Sequence, residues 1–170
     1  MTHDYFMQQA LALARQALNK DEFPVGCVVT YEGRVVAHGE RIHTRQSVPS
    51  ELDHAEILAL RRVETLPPDM DRSRMTLYAT LEPCLMCFGA ILISGIGTLV
   101  YAYEDAMGGG VGCDRSVLPD LYRRNGLRIV PDVGRKESLI LFQSFFNRPD
   151  TTYWRDSLLS TYTLSQMCES

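Results

Sequence analysis

"LEPCLMCFGA", Leu81 to Ala90, is the stretch on which the reading of this chain turns. Two of the five cysteines, Cys84 and Cys87, stand three apart behind Pro83. Such a pair serves as a redox dithiol, as half of a closed structural zinc site, or as two ligands of a working metal. A thioredoxin-like pair follows the first strand of a βαβ unit, whereas this one comes after several elements with Glu-Pro ahead of it. A closed zinc site takes four protein ligands, commonly from a second C-x-x-C or an H-x-x-x-H, and the chain has neither.

Working outward, His54 lies thirty residues upstream with Glu56 two positions on, in "HAEILALRRV". A lone histidine at a helix start is more often a cap, and a lone first-turn glutamate usually just complements the helix dipole. The joint pattern says more. His54, Cys84 and Cys87 are three good ligands without an obvious fourth, as in a catalytic zinc that keeps one position open for water. Cys84 and Cys87, at i and i+3 of a first turn, point to the same side, and the positive helix end favours their thiolates. Glu56 is then placed to carry protons beside the metal. The sequence thus predicts one Zn2+ per chain.

The remaining pattern is that of an α/β domain. Met7 to Leu18 has apolar residues at helical spacing, and "FPVGCVVTYEGRVVAHG" reads as a hairpin with strands Val25–Thr30 and Arg34–Ala37. Arg41 to Leu52 is a polar loop, His54 to Val63 a helix, and Met75 to Thr80 a strand. Proline suits a first helical position, so Pro83 is taken to open a helix to Ser94 that is apolar almost all round and hence buried. "TLVYAY", a flexible "MGGGVG", the strand "LRIVP" and the helix "KESLILFQSFF" follow. This order predicts a three-layer α/β/α sandwich around one mixed five-stranded sheet. Residues 1–148 form the catalytic domain; residues 149–170, with Tyr153, Trp154, Leu158, Leu159 and Tyr162, form a tail that packs on it.

Composition narrows the classes further. An odd five cysteines without even spacing argue against a disulfide-stapled secreted fold, and make Cys27 and Cys113 small buried residues. His38 and His43 read as surface residues. No apolar run is long enough for a membrane helix, and the N-terminus lacks a signal-peptide core, so a cytoplasmic protein with no membrane partner is expected. The net charge of −4 and pI near 5.5 speak against a phosphate-gripping surface, leaving Arg123, Arg124 and Arg128 as a basic patch or, more simply, a solvated turn.

"HAEILALR" with "TLYATLEPCLMCFGAI" resembles the zinc-dependent cytidine/deoxycytidylate deaminase superfamily, whose signature is H-x-E…P-C-x-x-C. Within it the chain is similar to the bacterial tRNA-specific adenosine deaminases and to the guanine and cytosine deaminases, from about Met7 to Arg148. The resemblance implies a homodimer, zinc on His54, Cys84 and Cys87, and Glu56 as proton shuttle in hydrolytic deamination. It also implies substrate contacts along Glu82 and Pro83, where backbone N–H groups would stabilise developing charge, and at Asp105.

Three departures bear on the substrate. Where those relatives carry an Asn that contacts the base, this chain has Arg41 when read from the "PVG" strand, or a position nearer His43 when read back from His54. The Asn is missing either way, the loop is about two residues longer, and an Arg there suits a more acidic or oxygen-rich ligand. Phe88 replaces a small residue and narrows the pocket or packs in the core. The tail resembles the aromatic lids of free-base deaminases, with Asp156 beside Tyr153 and Trp154 as the residue reading the leaving amino group. These features favour a small amino-heterocycle as substrate over tRNA adenosine, the alternative. A non-catalytic zinc module, with Cys113 or His43 as fourth ligand, is a third reading.

Overall fold

The computed structural model describes residues 2–123 and 126–167. Its sheet has the order β2-β1-β3-β4-β5, with β1 (Gly26–Tyr31), β2 (Arg34–Glu40), β3 (Thr76–Leu81), β4 (Thr98–Tyr103) and β5 (Arg128–Val130). The hairpin and the β1–β3 pair are antiparallel, while β3, β4 and β5 run parallel. The parallel half needs helical crossovers, which α3 (Leu85–Ser94) supplies between β3 and β4.

Two glycines show how the layers are arranged. Gly26 and Cys27 are successive in β1, so their side-chain positions face opposite sides of the sheet. A Cβ on Gly26 would lie 2.1 Å from the Ala10 carbonyl oxygen of α1 (His3–Asn19). Gly39, paired with Cys27, would meet the Ala55 carbonyl oxygen of α2 (Ala55–Val63) at 2.1 Å. Each helix backbone therefore lies directly on a glycine, one per face. On the first face α1 also contacts α5 (Arg135–Phe146); on the second, α2 contacts α3. The α/β sandwich with one mixed five-stranded sheet is as the sequence predicts.

Several local expectations are corrected. The first helix begins at His3, because the Thr2 hydroxyl caps it by accepting from Tyr5 N–H at 3.4 Å. The third begins at Leu85, with Cys84 as N-cap, so Pro83 lies outside the helix. That helix is not buried all round, since Leu85 is 64% and Ile93 57% exposed. "MGGGVG" is pinned: Gly110 N–H donates to the Pro83 carbonyl and Val111 N–H to the Glu82 carboxylate. Cys113 is exposed, whereas Cys27 is buried. A short α4 (Asp120–Arg123) interrupts the expected turn, with Arg123 paired to Asp120. Arg124 lies outside the described residues, and Arg128 begins β5.

The tail runs through turns to α6 (Leu158–Ser165), which buries Leu159 and Thr163. Phe23 is the hub of this attachment, its ring 5.2 Å from those of Phe142 and Phe145 and 5.3 Å from that of Tyr153. Edge-to-face pairs of this kind contribute roughly 0.5–1.5 kcal/mol each beyond area burial. At the other end, Tyr162 donates to Glu104 and Gln143 donates to the Thr163 and Gln166 carbonyls.

Candidate active site

Two helix starts meet at the second face of the sheet. His54 is the N-cap of α2, and Cys84 and Cys87 are the N-cap and third residue of α3. His54 Nδ1 lies 3.6 Å from Cys84 Sγ and 3.5 Å from Cys87 Sγ. Ideal tetrahedral zinc, with bonds of about 2.3 Å to sulfur and about 2.05 Å to nitrogen, sets N and S about 3.55 Å apart. The donor set therefore has the chemistry and spacing for zinc. Among the described residues this trio is the only such cluster, and neither His43 nor Cys113 joins it.

The electrostatics agree with that fit. Cys84 is pulled down to about 4, first by the hydrogen bond from the Cys87 thiol and then by His54, against its partial burial. Cys87 is pushed up by its bond to Cys84 and by burial. Thiols this close compete for one negative charge, whereas a divalent cation between them stabilises both thiolates. Burial depresses the His54 imidazolium, but Cys84 and Glu56 outweigh it and the net shift is upward. Glu56, 3% exposed in the first turn of α2, is raised by burial against the pull of His54. Proton affinity above the ordinary carboxylate range suits a group that must take up and release a proton near neutrality.

His54, Glu56 and Cys84 line one end of a cavity of about 380 Å³. Its walls come from the lead-in to β1 (Phe23, Val25), the loop that carries Arg41 and Glu51, the end of β3, the 105–108 turn and the tail. Of the residues expected to meet substrate, Arg41, Glu82, Asp105 and Trp154 lie on this cavity. Three do not. Phe88 is buried on the far side of α3, beside an apolar groove along Leu85, Ala90, Ile93 and Val117. Pro83 is buried with its carbonyl bound to Gly110, and Asp156 is an exposed residue of a left-handed turn. The backbone of 82–84 offers fewer donors than expected: Glu82 N–H is taken by the Tyr103 carbonyl and proline has none, which leaves that of Cys84.

Several pocket residues were not singled out from the sequence. Glu51, Phe23 and Met107 line it, and Leu159 and Tyr153, expected in the packed tail, line it as well. Glu51 lies in a polar loop without periodicity, and nothing local marks it. Glu82 and Asp105 prove to be loop-fixing groups: Glu82 accepts from Asp105 and Val111 N–H, and Asp105 from Met107 and Gly108 N–H.

Known proteins share this architecture. The pattern of the cytidine and deoxycytidylate deaminase zinc-binding region matches residues 1–103. A tRNA-specific adenosine deaminase of Streptococcus pyogenes serotype M1 is 29% identical over 144 residues, covering 85% of this chain and 83% of that protein. A structure from work on A-to-I editing by tRNA:A34 deaminases at the transfer-RNA wobble position superposes with a TM-score of 0.66 at 32% identity, covering 81% of this chain and 98% of that one. A guanine deaminase from Nitrosomonas europaea superposes with a TM-score of 0.63 at 26% identity, covering 85% and 84%. No helix among the described residues is long and apolar enough to cross a membrane. The match over residues 1–103 includes the His54–Cys84–Cys87 trio, and the chain belongs to the zinc-binding cytidine and deoxycytidylate deaminase family, as a zinc-dependent hydrolase of C–N bonds.

Proposed function

We propose that the chain deaminates a small, free amino-heterocycle, a nucleobase or close relative, rather than an adenosine within tRNA. The observation that carries this reading is the far wall of the cavity. Tail residues Tyr153, Trp154 and Leu159 line the same cavity as His54, Glu56 and Cys84, and its charged lining comprises four carboxylates (Glu51, Glu56, Glu82, Asp105) with one guanidinium, Arg41. A volume of about 380 Å³ lies at the small end of ligand pockets, and an acidic mouth repels a phosphate backbone. Residues 149–167 then serve as lid to the domain formed by residues 1–148.

His54, Cys84 and Cys87 hold the zinc, which when bound makes water nucleophilic near neutral pH. Glu56 works on the proton side of the reaction. Its buried carboxylate would take one proton from the attacking water and give it to the ring nitrogen beside the amino-bearing carbon, making that carbon electrophilic. Once the water oxygen has bonded to that carbon, it would carry the water's second proton to the amino nitrogen, which departs as ammonia as the C–N bond breaks. The Cys84 N–H is the backbone donor left to face developing negative charge. Phe23, Leu81 and Trp154 give apolar surfaces to a planar ring and keep bulk water out.

The apolar groove on α3 supports a homodimer. Leu85 and Ile93 are exposed on a helix whose other side buries Cys87, Phe88, Ile91 and Leu92, and a second copy would cover them.

The direct test measures ammonia release by zinc-loaded protein from aminopurines, aminopyrimidines and aminotriazines. Turnover of at least one is expected. Inosine formation in tRNA without activity on any free base would replace this reading by the second one, which the resemblance to the Streptococcus pyogenes enzyme favours.

A further inference from the structure

Arg41 is the most unusual group in the pocket wall. Its side chain is 2% exposed, yet the one carboxylate paired with it, Glu51, is 3.8 Å away and more than half exposed. A buried guanidinium ordinarily has a close anionic partner or a full set of acceptors, because desolvating an unpaired charge is costly. Arg41 has neither. Nη2 donates to the Ser50 carbonyl at 2.6 Å and to the Tyr153 hydroxyl at 3.0 Å, and Nη1 to the Ile42 carbonyl at 3.4 Å. Of its five N–H donors, Nε–H and one hydrogen of Nη1 have no acceptor among the described residues.

The guanidinium is also held in place rather than free to swing away. The Arg41 N–H is bound to the Val25 carbonyl, and Thr44, three residues on, is tied to Phe23 and Glu22. From the tail, the Tyr153 ring lies 5.7 Å from the guanidinium carbon, and its hydroxyl passes the hydrogen bond on to Glu51 at 3.0 Å. The group is thus a fixed, permanently charged donor on a cavity that also holds His54 and Glu56. An arginine has no acceptor to offer, so it reads acceptors (oxygen, an anion or an unprotonated ring nitrogen) and cannot read an N–H.

We propose that Arg41 is the specificity-determining residue of this pocket and selects amino-heterocycles that carry a ring oxygen acceptor, an oxo group or its enolate, over oxygen-free analogues. This deepens the small-heterocycle reading and rests on it. The amino group to be lost lies at the zinc donors and Glu56, and the oxygen takes the unused donors of Arg41. An oxygen-free ring offers those donors only a ring nitrogen or a water, a weaker partner for a cation than a carbonyl or enolate oxygen, and a site built to hydrogen-bond oxygen discriminates against it.

Trp154 is the sole tryptophan of the chain and lines the cavity, so its fluorescence reports ligand binding independently of turnover. The zinc-loaded wild type, Arg41→Lys and Arg41→Gln are titrated with hypoxanthine against purine and with 2-pyrimidinone against pyrimidine. Ammonia release from guanine against 2-aminopurine and from cytosine against 4-aminopyrimidine is followed in parallel. Wild type is expected to favour the oxygen-bearing member by about ten- to a hundredfold, Arg41→Gln to lose most of that ratio, and Arg41→Lys to fall between. Each ratio is taken on one protein, so partial unfolding cancels. Equal loss of both ligands in Arg41→Gln, or no preference in wild type, overturns the proposal and leaves Arg41 a structural clamp. A fluorescence preference without ammonia from any substrate upholds the selection by Arg41 and sinks the deaminase reading instead.

Discussion

The two ends of the cavity are built on different principles. At the zinc end, three donors and Glu56 come from the first turns of two helices whose backbones lie in the packed interior, with Ala55 and Cys87 wholly inaccessible to solvent. At the far end, Arg41, Glu51, Tyr153 and Trp154 come from a loop and a tail more than a hundred residues apart, joined by single hydrogen bonds and a ring contact. Under the proposed function, the reaction is carried by regular structure and the choice of substrate by connections. The first arrangement gives precision and tolerates little change; the second lets one scaffold serve many ligands. Substitutions at the two ends should therefore fail in different ways.

The largest effect is expected at Glu56. Glu56→Gln keeps the shape and removes the proton carrier, so ammonia release should fall by roughly a hundred- to ten-thousandfold. Zinc content by metal analysis should stay near one per chain, because Glu56 is not among the three donors. Full activity in this variant would break the division of labour at the zinc end. Cys87→Ser is the complement: it should lose both metal and turnover, since a serine hydroxyl is a poor zinc ligand at this site. Retained metal would show that the trio is not the binding set.

The pinned loop behind the zinc end is the next place to press. A Cβ on Gly110 would lie 2.7 Å from the Leu85 backbone nitrogen and Cα, and neither can retreat without shifting the first turn of α3. Gly110→Ala should cost about 1–3 kcal/mol of stability. Zinc affinity should fall with it, as read by a competing chelator, because Cys84 caps that same turn. Unchanged melting and zinc retention would mean that the loop and the helix start are not coupled.

The two ends also differed in how far the sequence revealed them. His54, Glu56, Cys84 and Cys87 were legible because two short motifs place them on adjoining turns, and helical geometry then dictates where they point. The strands and α2 were legible for the same reason, their periodicity being local. Of the two roles open to Phe88, narrowing the pocket or packing in the core, the structure shows the second, and Asp156, expected from the resemblance to aromatic lids, is exposed and off the cavity. Phe88 follows Cys87 by one residue, a rotation of about 100° that carries its side chain away from the metal. Asp156 lies in a turn with φ of 60°, and such turns set direction through backbone angles that composition does not encode. Glu51 was missed because its significance rests on Arg41 and Tyr153, one near and one far along the chain. The early start of α1 came from a single cap, Thr2.

At the far end a smaller loss is expected. Tyr153→Phe keeps the ring on Phe23 but removes the hydroxyl that accepts from Arg41 and donates to Glu51. One such link is worth about 1 kcal/mol, which is a rise of about fivefold in KM with kcat little altered. A fall in kcat with KM unchanged would mean that the tail takes part in the chemical step, and the contrast between the two ends would weaken.

The smallest effect concerns the anchor of the tail and shows itself in acid. Partial burial pushes the Glu104 carboxyl up, but Arg135 and the Tyr162 hydroxyl outweigh it and hold the group below its ordinary value of 4.5. A carboxylate whose folded pKa is lowered stabilises the fold fully above its unfolded pKa and loses that contribution as pH falls through the folded one. Glu104→Gln should therefore melt slightly below wild type at pH 7, and the gap should close in acid, as the pH falls through the lowered pKa of Glu104. Zinc loss in acid weakens both proteins alike, so the gap between them isolates the anchor. A gap that persists undiminished at pH 3 would assign Glu104 to packing rather than charge. The tail would then be held by packing and uncharged hydrogen bonds, among them the Phe23–Tyr153 ring contact and the bonds from Gln143 to the Thr163 and Gln166 carbonyls.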